Sequence, residues 1–410
     1  MRNKNSLRWR IIAAVLSTLA LVHAVLLYGL IGENEIAWLT AGALALFLVL
    51  RPRTGLLLAL SVLGGTLFLA GLLKVSGVDQ RPFPNKAAAR ISYDLLRGHQ
   101  IYEPNMNITF TVPGGDLRSM TSPETMQDVP AAPHEMRFAT DSLGYRNDAD
   151  YAEQQYILVG DSFVVATATD QQDILSAQLL RDHDIRAWNV AAVGGDLADY
   201  AHWIAHTRAK VSKDAKILLF FFEGNDFEKV LDRDAALPLW KLWLKRYRNR
   251  LRFTGIGKFS YAMVKRYTAS PEGEQVTVLP CGPLHMAFFN KYSNIAKRSG
   301  YPNPGDFGTM MATVAPEVAG VFFIPAKFRV YRELLDQGNP GQIPNLQYEY
   351  LKGLCQTQGL PLVDLTGPLA GEARRLLDQG RTVWYPDDTH WNAAGIAVAA
   401  REVAAFITGH

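Results

Sequence analysis

The stretch Tyr156-Ile157-Leu158-Val159-Gly160-Asp161-Ser162-Phe163 decides the fold. Its apolar residues do not alternate with polar ones, which describes a short strand buried on both faces. The run breaks at Gly160-Asp161 and delivers a serine at the turn. A helical pattern follows around Ile174–Leu180. The same alternation continues with a strand at Ala187–Val190, a turn at Gly194-Gly195 and a helix near Leu197–Ala209. Ile217–Phe222 is another apolar run, ending at Gly224. Val321–Ile324 and Leu360–Leu365 are later strand candidates, and Ala393–Ile407 is the last helix. Apolar runs alternating with helical patterns imply an α/β domain with a parallel sheet covered on both faces. Ligands of such sheets bind beyond the carboxyl ends of the strands. Ser162, Gly195 and Asn225 each follow a strand at that end.

A serine hydroxyl is a weak nucleophile until a base takes its proton. The base candidate is His390, within Tyr385-Pro386-Asp387-Asp388-Thr389-His390-Trp391-Asn392. Asp387, three residues earlier, has the spacing to reach the far ring nitrogen across a turn and complete a Ser-His-Asp set. Asp388, two residues before the histidine, competes for that role. An acyl-transfer site also needs donors for the developing oxyanion. The Ser162 N–H, the Gly195 N–H and the Asn225 side-chain amide supply three candidates.

The order of these blocks resembles the SGNH (GDSL) hydrolase family: Gly160-Asp161-Ser162-Phe163, then Asn189 to Asp196, then Gly224-Asn225-Asp226, then Asp387 to His390. Asp141-Ser142-Leu143-Gly144-Tyr145-Arg146 and Ile324-Pro325-Ala326-Lys327 also look like segments of that family. The resemblance implies a three-layer α/β/α fold with a central parallel sheet. It implies Ser162 as nucleophile, His390 as base, Asp387 as its orienting carboxylate, and Ser162, Gly195 and Asn225 as the oxyanion hole. The second block departs from the usual Asn-x-Gly-x-x-Gly. Here it reads Asn189-Val190-Ala191-Ala192-Val193-Gly194-Gly195, so Gly194 is an alternative to Gly195. The chemistry calls for no metal and no cofactor. Other motifs are missing: there is no Gly-x-Ser-x-Gly elbow, no His-Glu-x-x-His and no phosphate loop.

Upstream lie three apolar runs, Ile11–Ile31, Ile36–Leu50 and Leu56–Leu73. The first is long enough to span a bilayer; the second is short for one. We expect residues 1–75 to form a membrane anchor of three transmembrane helices. Arg2, Lys4, Arg8 and Arg10 precede the first run, Glu33 and Glu35 follow it, and Arg51 and Arg53 follow the second. The positive-inside rule then places everything after about Lys74 outside the cytoplasm; two spans alone would reverse this. Residues 76–150 read as a lead-in subregion without a separate core, and 151–410 as the catalytic domain.

That domain carries an insertion at about 227–320. Its Pro238–Tyr267 part holds nine Lys and Arg residues and no acidic one, with Trp240, Trp243, Leu244, Tyr247 and Leu251 on one helical face. This basic amphipathic segment suits a membrane surface, a groove for an anionic polymer, or an ordinary surface helix.

The whole chain of 410 residues is nearly balanced, with 42 basic and 39 acidic residues and a formal net charge of +3. That excludes a nucleic-acid footprint spread over the chain. Two cysteines cannot build a disulfide scaffold, although Cys281 and Cys355 could pair in an oxidising compartment.

Membrane-tethered extracytoplasmic members of the resembled family imply acetyl addition to, or removal from, a cell-surface or exported polysaccharide. A transferase of this kind would need a multispanning acyl-exporting membrane protein as donor; an esterase would not. A lipid esterase at the bilayer and a catalytically silent scaffold of an export complex are the alternatives.

Overall fold

In this computed structural model the described residues are 91–93, 100–227, 275–297, 306–335 and 343–409, with isolated positions at 64, 65, 68, 243, 246, 247, 249 and 250. The chain divides into two compact units. One comprises Met1–Gly98 and Leu237–Ser270, the other His99–Ala236 and Pro271–His410. All but isolated positions of the expected transmembrane spans and of the basic helix lie outside the described residues. Among the described residues no helix is long and apolar enough to cross a membrane. All that follows concerns the second unit.

In chain order, the strands that build this unit around the site are β1 (Asn107–Val112), β2 (His134–Ala139), β3 (Tyr156–Gly160), β4 (Ala187–Ala191), β5 (Lys216–Phe222), β6 (Val276–Cys281), β7 (Leu284–Phe289), β8 (Val318–Ile324) and β9 (Leu362–Asp364). Five of them form one sheet in the order β9-β8-β5-β3-β4, and every pairing in it is parallel. This is the α/β fold with a central parallel sheet expected from the run at Tyr156. Because β3 lies between β4 and β5, the loops holding Ser162, Gly195 and Asn225 leave three adjacent strands at one end.

Alternation along the strands sends side chains to two faces. Ile157, Val159, Trp188, Val190, Ile217, Leu219, Phe221, Val321 and Phe323 face one core, which the helices α1 (Leu197–Arg208), α2 (Phe307–Val314) and α3 (Leu346–Gln358) complete. Phe222 and Phe322 point the other way. Phe222 stacks on Phe163 at 4.1 Å, and Phe322 meets Phe406 of the last helix, α4 (Ala393–Gly409), at 5.4 Å. Helices therefore cover both faces. Each fully buried side chain of this size contributes about 1.5–3 kcal/mol.

The lead-in subregion shares a small core with a hairpin of the expected insertion. Leu117, Met126 and Val129 pack with Val276 and Ala287 of the antiparallel hairpin β6–β7. The sequence reading passed over this hairpin because Val276–Phe289 lies in the expected insertion, although Gly282-Pro283 is a turn dipeptide. No disulfide joins Cys281 and Cys355; both side chains are buried thiols. The possible pairing therefore gives way to packing, Cys281 at the end of β6 and Cys355 in the core under α3.

Candidate active site

Ser162 opens a single helical turn, Ser162–Val165, directly after β3. Asp161 caps it, its carboxylate accepting from Phe163 N at 2.9 Å. The turn ends at Ala166 in the left-handed region, with φ 58°. Beneath it lies Arg146, fully buried. Its guanidinium donates to the carbonyls of Val165 at 3.0 Å, Thr169 at 2.7 Å and Arg137 at 3.3 Å, to Ala166 O, and to Gln171 Oε1 at 3.0 Å. Burial pushes this guanidinium down to about 10, so it remains charged at neutral pH. A buried cation thus neutralises the orphan carbonyls of a helix too short to satisfy its own.

His390 sits on a loop closed by a bridge between Trp384 and Trp391, both fully buried. Its Nε2 is 2.9 Å from Ser162 Oγ. Its Nδ1 is 2.8 Å from Asp388 Oδ1, and the same oxygen accepts from His390 N at 2.9 Å. Trp391 Nε1 donates to Phe163 O at 3.0 Å and ties this loop to the serine turn.

Asp387, the expected orienting carboxylate, is not at the histidine. Its Oδ2 accepts from Gly115 N at 3.0 Å and from Arg118 Nε at 2.5 Å. The reason lies in the turn. The Asp388 side chain accepts from the backbone two residues on, an Asx-turn that brings the ring of His390 onto the same carboxylate. Asp387 then faces away. The competing assignment, Asp388, is the one with the geometry of an orienting group.

Electrostatics follow from these contacts. Burial alone would lower the His390 pKa. The Asp388 hydrogen bond and charge, with Asp116 and Asp161 behind them, raise it instead, to about 9. Asp388 moves the opposite way: burial raises it, but the hydrogen bond and charge of His390 outweigh that and lower it. The pair is therefore an imidazolium–carboxylate at neutral pH.

Gly195 is buried after β4, and a Cβ there would lie 2.4 Å from Trp203 Cη2. Gly194 is exposed with φ +71° and open space around it. The packed position is Gly195; Gly194 serves the turn. The Asn225 side-chain amide lies near the Asp161 carboxylate, beside the residue that precedes the serine, and opposes the rise in pKa that burial gives that carboxyl. Asp226 has a structural place: its Oδ2 accepts from Phe222 N at 2.8 Å and from Tyr200 OH at 3.0 Å.

Two groups that contact the histidine loop were given no role at the site by the sequence reading. Lys327 is buried, and its Nζ lies 2.8 Å from Ala287 O, 2.8 Å from Tyr385 O, 2.9 Å from Pro386 O and 3.1 Å from Asp388 O. Burial lowers its pKa while Asp388, Asp387 and Asp116 oppose the shift. Four carbonyls are better matched by the three protons of an ammonium than by a neutral amine. Asp116, from the lead-in, accepts from Thr389 N at 2.9 Å and from Thr389 Oγ1 at 2.6 Å. Pro113-Gly114-Gly115 reads locally as a turn, and nothing near it in sequence points to residue 389. Among the described residues, Asp116, Asp388 and His390 are the one grouping with metal-ligand chemistry. Asp388 Oδ1 lies 2.8 Å from His390 Nδ1, and Asp116 Oδ2 accepts from Thr389 Oγ1 at 2.6 Å.

Residues 319–410 match the family model described as the SGNH hydrolase-like domain of the acetyltransferase AlgX. The resemblance to SGNH hydrolases read from the motifs is thus shown, and it points to acetyltransferase- or esterase-type activity. The matched segment contains β8 and the histidine loop. Of solved structures, one is 15% identical with a TM-score of 0.29, covering 63% of this chain and 97% of that one. The protein YXIM_BACsu from Bacillus subtilis is 11% identical with a TM-score of 0.33, covering 75% of each chain. Likenesses of that size carry no argument. No curated protein matches the chain.

Proposed function

We propose that this chain is an acyl-ester enzyme that works through an acyl-serine at Ser162 and acts on a cell-surface or exported polysaccharide, as an O-acetyltransferase or esterase. The observation that carries this reading is the chain of contacts Ser162 Oγ to His390 Nε2 at 2.9 Å and His390 Nδ1 to Asp388 Oδ1 at 2.8 Å. His390, in its unprotonated form, takes the Ser162 proton as the oxygen attacks the ester carbonyl. The tetrahedral oxyanion accepts from the Ser162 and Gly195 N–H groups and from the Asn225 side-chain amide. His390 then passes its proton to the leaving alkoxide, and the acyl group stays on Ser162. A water or a sugar hydroxyl enters next, gives its proton to His390 as it attacks the acyl carbon, and carries the acyl group away while His390 returns that proton to Ser162 Oγ. Each oxyanion donor is worth about 10²–10³ in rate.

The name of the matched family supports acetyl as the acyl group and transfer as the outcome. In a transferase, a multispanning membrane protein supplies the acyl donor, and residues 1–75 hold the domain on the outer side of the membrane beside it. A cysteine introduced near Lys74 then reacts with a membrane-impermeant thiol reagent in intact cells; labelling only after permeabilisation refutes this topology.

The activity test uses the full-length protein with p-nitrophenyl esters of increasing chain length and Ser162→Ala as control. Serine-dependent release of acetate, with long chains rejected and acetyl moving to added glycan oligomers, supports the proposal. A preference for long chains favours a lipid esterase. An unchanged cellular phenotype in Ser162→Ala identifies a silent scaffold.

A further inference from the structure

We propose that Asp116 is a positioning residue for His390, a second carboxylate that fixes the Thr389–His390 backbone and favours the imidazolium form of the ring. This rests on the reading of Ser162, His390 and Asp388 given above and adds a member from outside the sheet domain.

The geometry is reciprocal. The Asp116 carboxylate takes both donors of Thr389, its N–H at 2.9 Å and its hydroxyl at 2.6 Å. The backbone N–H of Asp116 donates to Asp388 Oδ2 at 2.9 Å, the oxygen not used by His390. Asp116 Oδ2 lies 3.9 Å from His390 Nδ1. One residue therefore orients the carboxylate that orients the histidine, and faces the same ring nitrogen with its own charge. Neighbouring contacts hold it there: Leu117 N donates to Asp387 O at 3.2 Å. A Cβ on Gly115 would lie 2.1 Å from Asp387 O, so only glycine lets the two backbones approach this closely.

The charged groups facing His390 come from three elements: Asp388 from its own loop, Asp161 from the serine turn and Asp116 from the lead-in. Lys327, below the loop, feels Asp388, Asp387 and Asp116. Burial and the charge of Asp388 raise the Asp116 pKa to about 6, so Asp116 is ionised across the range where His390 titrates. An opposite charge within about 4–6 Å typically moves a pKa by 1–3 units. Removing the Asp116 charge therefore lowers the His390 midpoint.

The consequence for rate has a distinctive form. A midpoint lower by about one unit makes the base form about tenfold more abundant at pH 7, while the weaker base offsets about half of that on a logarithmic scale. The net result is about threefold faster at pH 7 and about threefold slower at pH 10. The pH profiles of the two proteins cross, which mere structural damage does not produce.

The experiment uses the full-length protein with ¹³C-labelled histidine, and the His390 resonance assigned by His390→Gln. Asp116→Asn, which keeps the hydrogen-bonding shape, is expected to lower the midpoint from about 9 by about one unit or more. Asp116→Glu, which keeps the charge, should retain it. Asp116→Ser serves as a second neutral variant if the asparagine does not fold. An unchanged midpoint in the folded neutral variant overturns the proposal. In parallel, a fluorophosphonate probe reports the reactivity of Ser162 against pH. Crossing profiles support the proposal, whereas parallel ones that differ by a constant factor overturn it. Absence of Ser162 labelling in the unsubstituted protein refutes the proposed function, while the NMR titration still decides the role of Asp116.

Discussion

The serine turn and the histidine loop meet at a single 2.9 Å contact, yet they are built in opposite ways. The serine turn is an outgrowth of β3. Its cap is its own Asp161, and its anchoring cation, Arg146, lies ten positions before the strand's first residue, Tyr156. The histidine loop borrows almost everything. Gly115, Asp116 and Arg118 come from some 270 residues upstream. Lys327 reaches up from the end of β8, and Ala287 of the hairpin donates its N–H to Pro386 O at 2.9 Å. Both segments place a buried cation under main-chain carbonyls. The nucleophile is therefore fixed by local structure and the base by long-range structure, and the two should fail differently.

The sharpest way to test that contrast is to separate the adjacent aspartates. Asp388→Asn removes the charge at the ring and should lower kcat by about 10³–10⁴-fold. Asp387→Asn leaves the ring contact in place and should cost less than about tenfold. Equal losses would erase the distinction the loop geometry makes, and steady-state ester hydrolysis reads both.

The two cations come next. Arg146→Met and Lys327→Met each strand several buried carbonyls and should destabilise the domain by about 3 kcal/mol or more. Chemical denaturation measures the loss, and hydrogen exchange locates it. Arg146→Met should release the Ser162–Thr169 segment first, and Lys327→Met the Tyr385–Asp388 segment. Simultaneous release would make the site one cooperative piece.

A smaller effect separates the segments by pH. The His390 pKa lies above its ordinary 6.5, so the folded state binds this proton more tightly than the unfolded state does. The stabilisation is complete below about 6.5 and fades as the pH rises through about 9. The gap in unfolding free energy between the unsubstituted protein and His390→Gln should therefore narrow over that range. Arg146, charged throughout it, should contribute a constant amount, so Arg146→Met should keep a constant gap.

The same contrast explains what the sequence disclosed. Tyr156–Val159 and Ile217–Phe222 are continuous apolar runs and Ala187–Val190 is interrupted only by Asn189; each is a strand of the sheet within a residue or so at either end. Ser162 and His390 were legible because a strand-end serine and a late histidine have few alternative chemistries in this order of blocks. Asp387 was misread because spacing along the chain does not reveal an Asx-turn, and the turn at Asp388 decides which carboxylate meets the ring. Asp116 and Lys327 were silent because their partners are main-chain atoms of a distant loop, and such partners leave no residue pattern. The hairpin at Val276–Phe289 was hidden for a similar reason, since its apolar face is matched by Leu117, Met126 and Val129 from the lead-in.

The central claim is a covalent acyl group on Ser162, and its most direct measurement is mass spectrometry of the peptide containing Ser162 after a brief acid quench from p-nitrophenyl acetate. The account predicts acetyl on Ser162, absent in Ser162→Ala and strongly reduced in His390→Gln. Acetate released with no acetyl on Ser162, or acetyl on Ser162 unaffected by loss of His390, would contradict it.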